Sequence, residues 1–166
     1  MRVTLLPIPL PDLHLLAQGE YPASLPNRLA EDAMPPPVVA IRALQMLTNG
    51  PANAWCNTFY MLRTQDNQVV GGCGFKHLPL DGRVEIGYGV GSAFQRQGMA
   101  TAAVARLLQL AFASGQADEV LANILPDNIA SAKVVQRLGF EPIGMTIDKD
   151  DGESLMQWLA RKPFTA

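Results

Sequence analysis

The chain has few cysteines, few histidines and no excess of positive charge, and each shortage excludes a class of protein. Two cysteines, Cys56 and Cys73, occur among 166 residues, so a disulfide framework is excluded and a reducing compartment is expected. His14 and His77 lie far apart in sequence with no ligand residues near them, so we expect no metal. A net charge of −2 provides no basic surface for nucleic acid.

Long hydrophobic runs are also missing. The chain reaches its first prolines, at positions 7, 9 and 11, too soon for the core of a signal peptide. The most apolar stretch, residues 102–113, is interrupted by an arginine and a glutamine and is too short to cross a bilayer. We therefore expect a cytoplasmic protein with no nucleic-acid or membrane partner. Because 48% of the residues are hydrophobic and 17% are charged, we expect one packed domain over residues 1–166.

Prolines and hydrophobic periodicity divide the chain into alternating elements. Most of the prolines lie before Val38, which predicts a short edge strand followed by two short helices, the first capped by Asp12. Apolar residues at helical spacing predict a long helix from Ala100 to Ala111. Strands are predicted at residues 2–7, 57–63, 69–77, 83–90, 120–125, 140–147 and 153–161. The predicted order is β-α-α-β-β-β-α-β-α-β-β, which is an α/β fold.

The turn between the strand at residues 83–90 and the long helix has the pattern of an anion site. Its sequence is Phe94-Gln95-Arg96-Gln97-Gly98-Met99-Ala100, and it opens onto a helix N-terminus, where the first amides lack internal partners. Such a turn can hold a pyrophosphate, with Arg96 available for a further phosphate. The alternative is an ordinary strand-to-helix turn in which Gly98 gives steric relief, and this segment alone does not decide between the two.

The strand before this turn carries a carboxylate and two glycines on one face. Alternation places Glu85, Gly87 and Gly89 together, which leaves a groove lined by backbone where a ligand can lie. A twist or bulge near Gly89 would free an amide for that ligand. The alternative is a solvated Glu85 that pairs with Arg83 or Lys76.

Four motifs in order resemble those of the GCN5-related N-acetyltransferase (GNAT) family. They are Glu85-Ile86-Gly87-Tyr88, the turn from Gln95 to Ala100, Asn128-Ile129-Ala130-Ser131 and Leu138-Gly139-Phe140. The chain is most similar to the RimJ/RimL-type branch, which includes ribosomal-protein N-terminal acetyltransferases, and the match covers residues 83–144. The resemblance implies a mixed, mostly antiparallel sheet flanked by helices.

The resemblance also implies the cosubstrate, acetyl-CoA, and the residues that bind it. Backbone amides of the cofactor loop would hold the pyrophosphate; this loop comprises Gln95, Arg96, Gln97, Gly98, Met99 and Ala100. The pantetheine arm would pair along the strand from Tyr88 to Val90, and Asn128 would hydrogen-bond it. From spacing alone, Asn128 is a helix cap.

For catalysis, the resemblance implies direct attack of a primary amine on the thioester. A strand amide near Val90 would stabilise the oxyanion, and Glu85 would act as general base, usually through water. Many members of the family place a tyrosine seven residues after the asparagine to protonate the thiolate. Here that position is Val135, so Ser131 is the candidate partner of the thiolate. The rival hypothesis, favoured by Val135, is a non-catalytic acyl-CoA-binding or regulatory module.

Three acidic residues in the first third of the chain bear on the identity of the acceptor. Glu20, Glu31 and Asp32 favour a cationic acceptor, either a peptide N-terminus or a small-molecule amine, although ordinary surface charge explains them equally well. The sequence is compatible with a homodimer and does not determine the oligomeric state.

Overall fold

The computed structural model describes residues 2–22, 25, 31–49 and 57–163, and its elements follow the predicted order. The strands are β1 (Val3–Pro7), β2 (Thr58–Arg63), β3 (Val69–Phe75), β4 (Arg83–Val90), β5 (Glu119–Ile124), β6 (Glu141–Ile147) and β7 (Ser154–Arg161). The α-helices are α1 (Leu10–Ala17), α2 (Pro37–Asn49), α3 (Met99–Ala113) and α4 (Ile129–Arg137). Short 3-10 turns occupy Glu31–Ala33 and Ser92–Phe94. Cys56 lies outside the described residues.

The seven strands form one sheet in the order β1-β2-β3-β4-β5-β7-β6. The central pair, β4 and β5, is parallel, whereas the other neighbouring pairs are antiparallel. The predicted mixed, mostly antiparallel sheet flanked by helices is therefore confirmed, and β1 lies at an edge as predicted. Because β4 and β5 are parallel, their C-terminal ends lie at the same edge of the sheet.

Helices cover the two faces of this sheet and divide the core in two. The larger cluster lies under α3 and includes all but Ala100 of the apolar residues predicted to share one face of that helix, namely Ala103, Val104, Leu107, Leu108 and Ala111. The smaller cluster lies on the α1 and α2 side of the sheet and includes Tyr60, which is fully buried. Among the described residues no helix is long and apolar enough to span a membrane.

The predicted capping role of Asp12 is wrong. Helix α1 begins at Leu10, immediately after Pro9, because prolines suit the first turn of a helix and require no capping partner there. Asp12 therefore lies inside the first turn, where it is buried and accepts a 2.8 Å hydrogen bond from the Tyr60 hydroxyl. Burial and this hydrogen bond raise the pKa of Tyr60 above its ordinary range. Asp12 thus fastens α1 to the sheet.

Candidate functional site

Strands β4 and β5 separate part of the way along their length. They pair from Arg83–Glu85 on β4 to Glu119–Leu121 on β5, and no further pairing joins the two described strands. On its other side β4 stays paired with β3 up to Val90. The sheet therefore contains a wedge-shaped opening, here called the splay, between the second half of β4 and the second half of β5.

The splay leaves one edge of β4 open. The carbonyl of Glu85 accepts a 2.8 Å hydrogen bond from the amide of Lys76, the first residue after β3, and the amide of Gly91 donates one to the Val70 carbonyl of β3 at 2.8 Å. Because the bonding direction alternates along an antiparallel strand, Tyr88 and Val90, which lie beyond the pairing with β5, turn their amides the other way, into the splay. This is the strand segment along which the pantetheine arm is expected to pair.

Gly89 opens onto free space beside this edge. A Cβ atom built on Gly89 would have no described atom within 4 Å, whereas one on Gly87 would meet Lys76 Cε at 3.2 Å. The register between β3 and β4 is continuous here, so the bulge, one of the two irregularities considered near Gly89, is absent from these two strands. The amides become available because β5 diverges, not because β4 is irregular.

The cofactor loop lies at the open end of the splay and leads into α3. Gly98, the N-cap residue of α3, has a φ of +79°, a conformation that favours glycine. No described side chain caps the helix, and the amides of residues 95–101 donate no hydrogen bond to the described residues. These amides and the helix dipole make the loop a suitable anion site.

Side-chain hydrogen bonds hold the cofactor loop in place. The Gln95 side-chain amide donates to the Val90 carbonyl at 3.1 Å, which ties the loop to the end of β4. The Arg2 guanidinium donates to the Gln97 carbonyl and also packs against Gly98. Arg96 has a φ of +62°, which is uncommon for a residue with a side chain. Both ends of the loop are therefore positioned by residues that leave its amides available.

Two cavities meet at the splay. The larger, of about 850 Å³, is lined by the cofactor loop and the first turns of α4, and the smaller, of about 500 Å³, opens on the α2 side of the sheet. Both cavities are lined by Tyr88, Gly89, Val90, Asn128 and Ser131. A ligand that reached through the splay would thus touch both.

The predicted residues on α4 are brought to this junction. Asn128 caps α4, since its Oδ1 accepts the Ser131 amide at 3.2 Å, which leaves its Nδ2 hydrogens for a ligand. The Tyr88 hydroxyl donates to the Ser131 carbonyl at 3.0 Å, and burial raises the pKa of Tyr88 to about 12. Val135 is fully buried in the larger core cluster, so it offers no polar group to the site.

Glu85 lies beside the junction rather than in it. Its carboxylate pairs with Lys76 Nζ at 2.6 Å, one of the two partners that the sequence suggested. Lys76 lines the smaller cavity, whereas Glu85 lines neither. Of the two candidate catalytic residues, the structure therefore brings Ser131 to the junction. Glu85 lies outside both cavities, next to Ile86, which lines the smaller one.

The histidine and the cysteine nearest to the site, His77 and Cys73, have structural roles. His77 Nδ1 lies 2.7 Å from the Leu78 carbonyl, and its Nε2 accepts the Glu85 amide at 3.2 Å. Cys73 is buried, and that burial raises the pKa of its thiol. In the part of the chain that the structure describes, no three His, Cys, Asp or Glu residues form a group that could hold a metal ion.

Sequence reasoning missed several residues of the smaller cavity. Asp148, Asp151 and Glu153, from the turn between β6 and β7, line it together with Asp32, which the sequence had singled out for a cationic acceptor. Backbone hydrogen bonds from residues 150 and 151 lower the pKa of Asp148, and hydrogen bonds from Ser92 lower that of Asp32. Only the three-dimensional fold brings this turn to the splay, so no local signal could reveal it. Glu20 does not line either cavity, and the Glu31 side chain lies outside the described residues.

The open strand edge, the uncapped helix N-terminus at its end and the cavities on both sides together form a site for an extended ligand with a phosphate group at one end. Residues 2–141 match the family model described as an acetyltransferase (GNAT) domain, so the chain belongs to the GNAT acetyltransferase family. Over 106 residues it is 30% identical to "Uncharacterized N-acetyltransferase p20" of Bacillus licheniformis; the alignment covers 63% of this chain and 60% of that protein.

Solved structures with similar folds include a coenzyme A complex. "Mycobacterium smegmatis RimJ in complex with CoA-disulfide" has a TM-score of 0.68 and 19% identity, over 96% of this chain and 82% of that one. "Microcin C7 self immunity acetyltransferase MccE in complex with Acetyl-CoA and AMP" has a TM-score of 0.67 and 18% identity, over 96% and 92% of the two chains. At these identities the likeness concerns the fold.

Proposed function

We propose that this protein is an acetyl-CoA-dependent N-acetyltransferase whose acceptor is a primary amine, either a peptide N-terminus or a small molecule. The observation that carries the proposal is the free edge of β4 between the uncapped N-terminus of α3 and the two cavities. A pyrophosphate on the cofactor loop and a pantetheine arm along Tyr88–Val90 would bring a thioester to the junction of the cavities. Family membership supports the same cosubstrate.

Each candidate residue then has a defined task. The amides from Gln95 to Ala100 would bind the pyrophosphate, with Arg96 pairing a further phosphate. Asn128 would hydrogen-bond the pantetheine arm through its Nδ2 group, since its Oδ1 caps α4. The Val90 amide would stabilise the oxyanion, an electrostatic effect of about 3 kcal/mol.

The reaction is a direct acyl transfer. The lone pair of a neutral amine attacks the thioester carbonyl carbon, the new C–N bond forms, and the C–S bond breaks with its electron pair on sulfur. The amine loses one proton, which we assign through water to Glu85, and the thiolate takes one from the Ser131 hydroxyl, which regains a proton from solvent. A thiol with a pKa of about 8.5 is a good leaving group, so the missing tyrosine at Val135 costs little.

The amine itself is the harder requirement. A peptide α-amine has a pKa of about 8 and is partly neutral at pH 7, whereas a lysine side chain, at about 10.4, costs roughly 3 kcal/mol more to deprotonate. A modest acid–base apparatus therefore suits an N-terminal amine or another amine with a depressed pKa. The RimJ-type branch assignment, the cytoplasmic location and the homodimer remain predictions.

An acceptor screen tests the proposal. Coenzyme A release from acetyl-CoA is measured with N-terminal peptides, polyamines and aminoglycosides, for the wild type and for Glu85→Gln, with Glu141→Gln as the matched control on the exposed strand β6. We expect release with at least one amine class, slower release for Glu85→Gln, and unchanged acetyl-CoA affinity in both variants. If acetyl-CoA binds tightly and no amine stimulates release, the regulatory hypothesis is correct instead.

A further inference from the structure

Asn123 is a polar residue within the apolar run that follows Glu119 on β5. Its neighbours on β5, from Val120 to Ala122 and then Ile124, are buried. The Oδ1 atom of Asn123 is itself buried, and it accepts no hydrogen bond from any residue that the structure describes. Because buried polar atoms in proteins are nearly always hydrogen-bonded, and because Asn123 as a whole is only partly buried, a turn of its side-chain amide would bring this oxygen to a partner that the described residues do not supply.

The position of Asn123 says where that partner lies. Leu121 pairs with Glu85, so two residues further along, Asn123 lies level with Gly87, where β4 and β5 begin to separate. Residues two apart share a face of a strand, so Asn123 is on the face of Glu85 and the two groove glycines. It lines the smaller cavity and not the larger one, which contains the cofactor loop.

We propose that Asn123 is a positioning residue for the acceptor, and that its Oδ1 accepts a hydrogen bond from the N–H of the attacking amine. This inference rests on the proposed N-acetyltransferase function. The alternative donor is an amide of the pantetheine arm, but the arm would lie along Tyr88–Val90, whereas Asn123 lies level with Gly87 and lines the smaller cavity alone. The acceptor amine is therefore the partner that this location favours.

The chemistry of an amide oxygen suits this task. A carboxylate at this position would favour the protonated amine, whose lone pair is unavailable for attack, because a nearby negative charge raises the pKa of an ammonium group. A neutral oxygen orients an N–H bond with a much smaller penalty of this kind. The carboxylates of Asp148, Asp151 and Glu153 lie at the same cavity and can attract the cationic form, which then loses its proton before attack.

Two variants of Asn123 test the proposal against a matched control. Asn123→Leu keeps the size of the side chain and removes the acceptor atom, and Asn123→Asp keeps the acceptor and adds charge. Gln157→Leu is the control, because Gln157 pairs with Asn123 across β5 and β7 but lines neither cavity. The measurements are the acceptor KM and kcat, the Kd of acetyl-CoA and the thermal unfolding midpoint, with the best amine from the screen.

We expect Asn123→Leu to raise the acceptor KM about tenfold or more, the effect of losing one hydrogen bond to a ligand, with the acetyl-CoA Kd unchanged. Its unfolding midpoint should not fall, since leucine removes an unpaired buried oxygen. Asn123→Asp should retain binding and shift the pH profile of kcat/KM to higher pH. Gln157→Leu should leave the acceptor KM unchanged.

Three results would overturn the proposal. An unchanged acceptor KM in Asn123→Leu would remove Asn123 from the acceptor site, and a weaker acetyl-CoA Kd would assign its oxygen to the pantetheine arm. A lower unfolding midpoint together with equal losses of both substrates would make the role structural. If the wild type itself shows no amine-dependent release, the proposed function fails first, whereas an active wild type with an equally active Asn123→Leu variant rejects this inference alone.

Discussion

Substitution of Gly98 separates the backbone and electrostatic contributions of the cofactor loop. Gly98 has a φ of +79°, so any side chain there costs about 1–2 kcal/mol of stability. The nearest atom to an added Cβ is Arg2 Nη1 at 3.6 Å, an ordinary contact, so no steric clash adds to that cost. Gly98→Ala and Gly98→Glu should therefore lose similar free energies of unfolding in urea.

Their affinities for acetyl-CoA should differ. The carboxylate introduced by Gly98→Glu faces a doubly charged pyrophosphate, and two repulsions of about 1 kcal/mol each predict a loss of about 30-fold relative to Gly98→Ala. Because Arg2 is adjacent and offsets part of the repulsion, tenfold is about the smallest loss expected. Titration calorimetry at low and high salt measures this, and salt should reduce the difference. Equal affinities of the two variants would show that the pyrophosphate does not bind at this loop.

Two further predictions concern the groove and the base of the splay. Gly89→Val fills open space beside β4, so we expect the acceptor KM to rise about fivefold. The free energy of unfolding should change by less than about 0.5 kcal/mol. A stable variant with an unchanged KM would show that the acceptor does not use the groove. Glu119 is partly buried, which raises its pKa, but hydrogen bonds and charges from Arg83 and Arg161 more than compensate, so its pKa is lowered. This carboxylate therefore stabilises the fold above the ordinary glutamate pKa of about 4.3, and the contribution is lost as the pH falls through the lowered value. Urea unfolding from about pH 6 down to pH 3 should show that the wild type loses its advantage over Glu119→Gln, and a constant difference would contradict the assignment.

The fold was predictable because its signals are local. The apolar period of α3, the turn glycines and the alternation of β4 are all visible in neighbouring residues, and each matched an element of the structure. The cap of α1 was mispredicted because Asp12 finds its partner, Tyr60, 48 positions away in sequence. A nearby hydrogen-bond donor across the sheet outweighed the local preference of aspartate for a helix N-terminus.

The candidate site divides in the same way. The cofactor loop is one continuous segment, so its sequence contained both the turn and the helix start. The acceptor side is assembled from α2, the ends of β3 and β5, and the β6–β7 turn, which no short motif unites. Asn123 shows why the acceptor side could not be predicted from sequence. A single asparagine in a mostly apolar strand indicates a site when the structure shows that its oxygen is buried and has no partner among the described residues.

The short pairing between β4 and β5 has a mechanical consequence. Three residue pairs join the four-stranded half of the sheet, β1 to β4, to the three-stranded half formed by β5, β7 and β6. A pantetheine arm inserted between the halves would extend this narrow seam like an additional strand. Cosubstrate binding would then do more than occupy a pocket, since it would add backbone pairing along this seam and would slow hydrogen exchange on both sides of it.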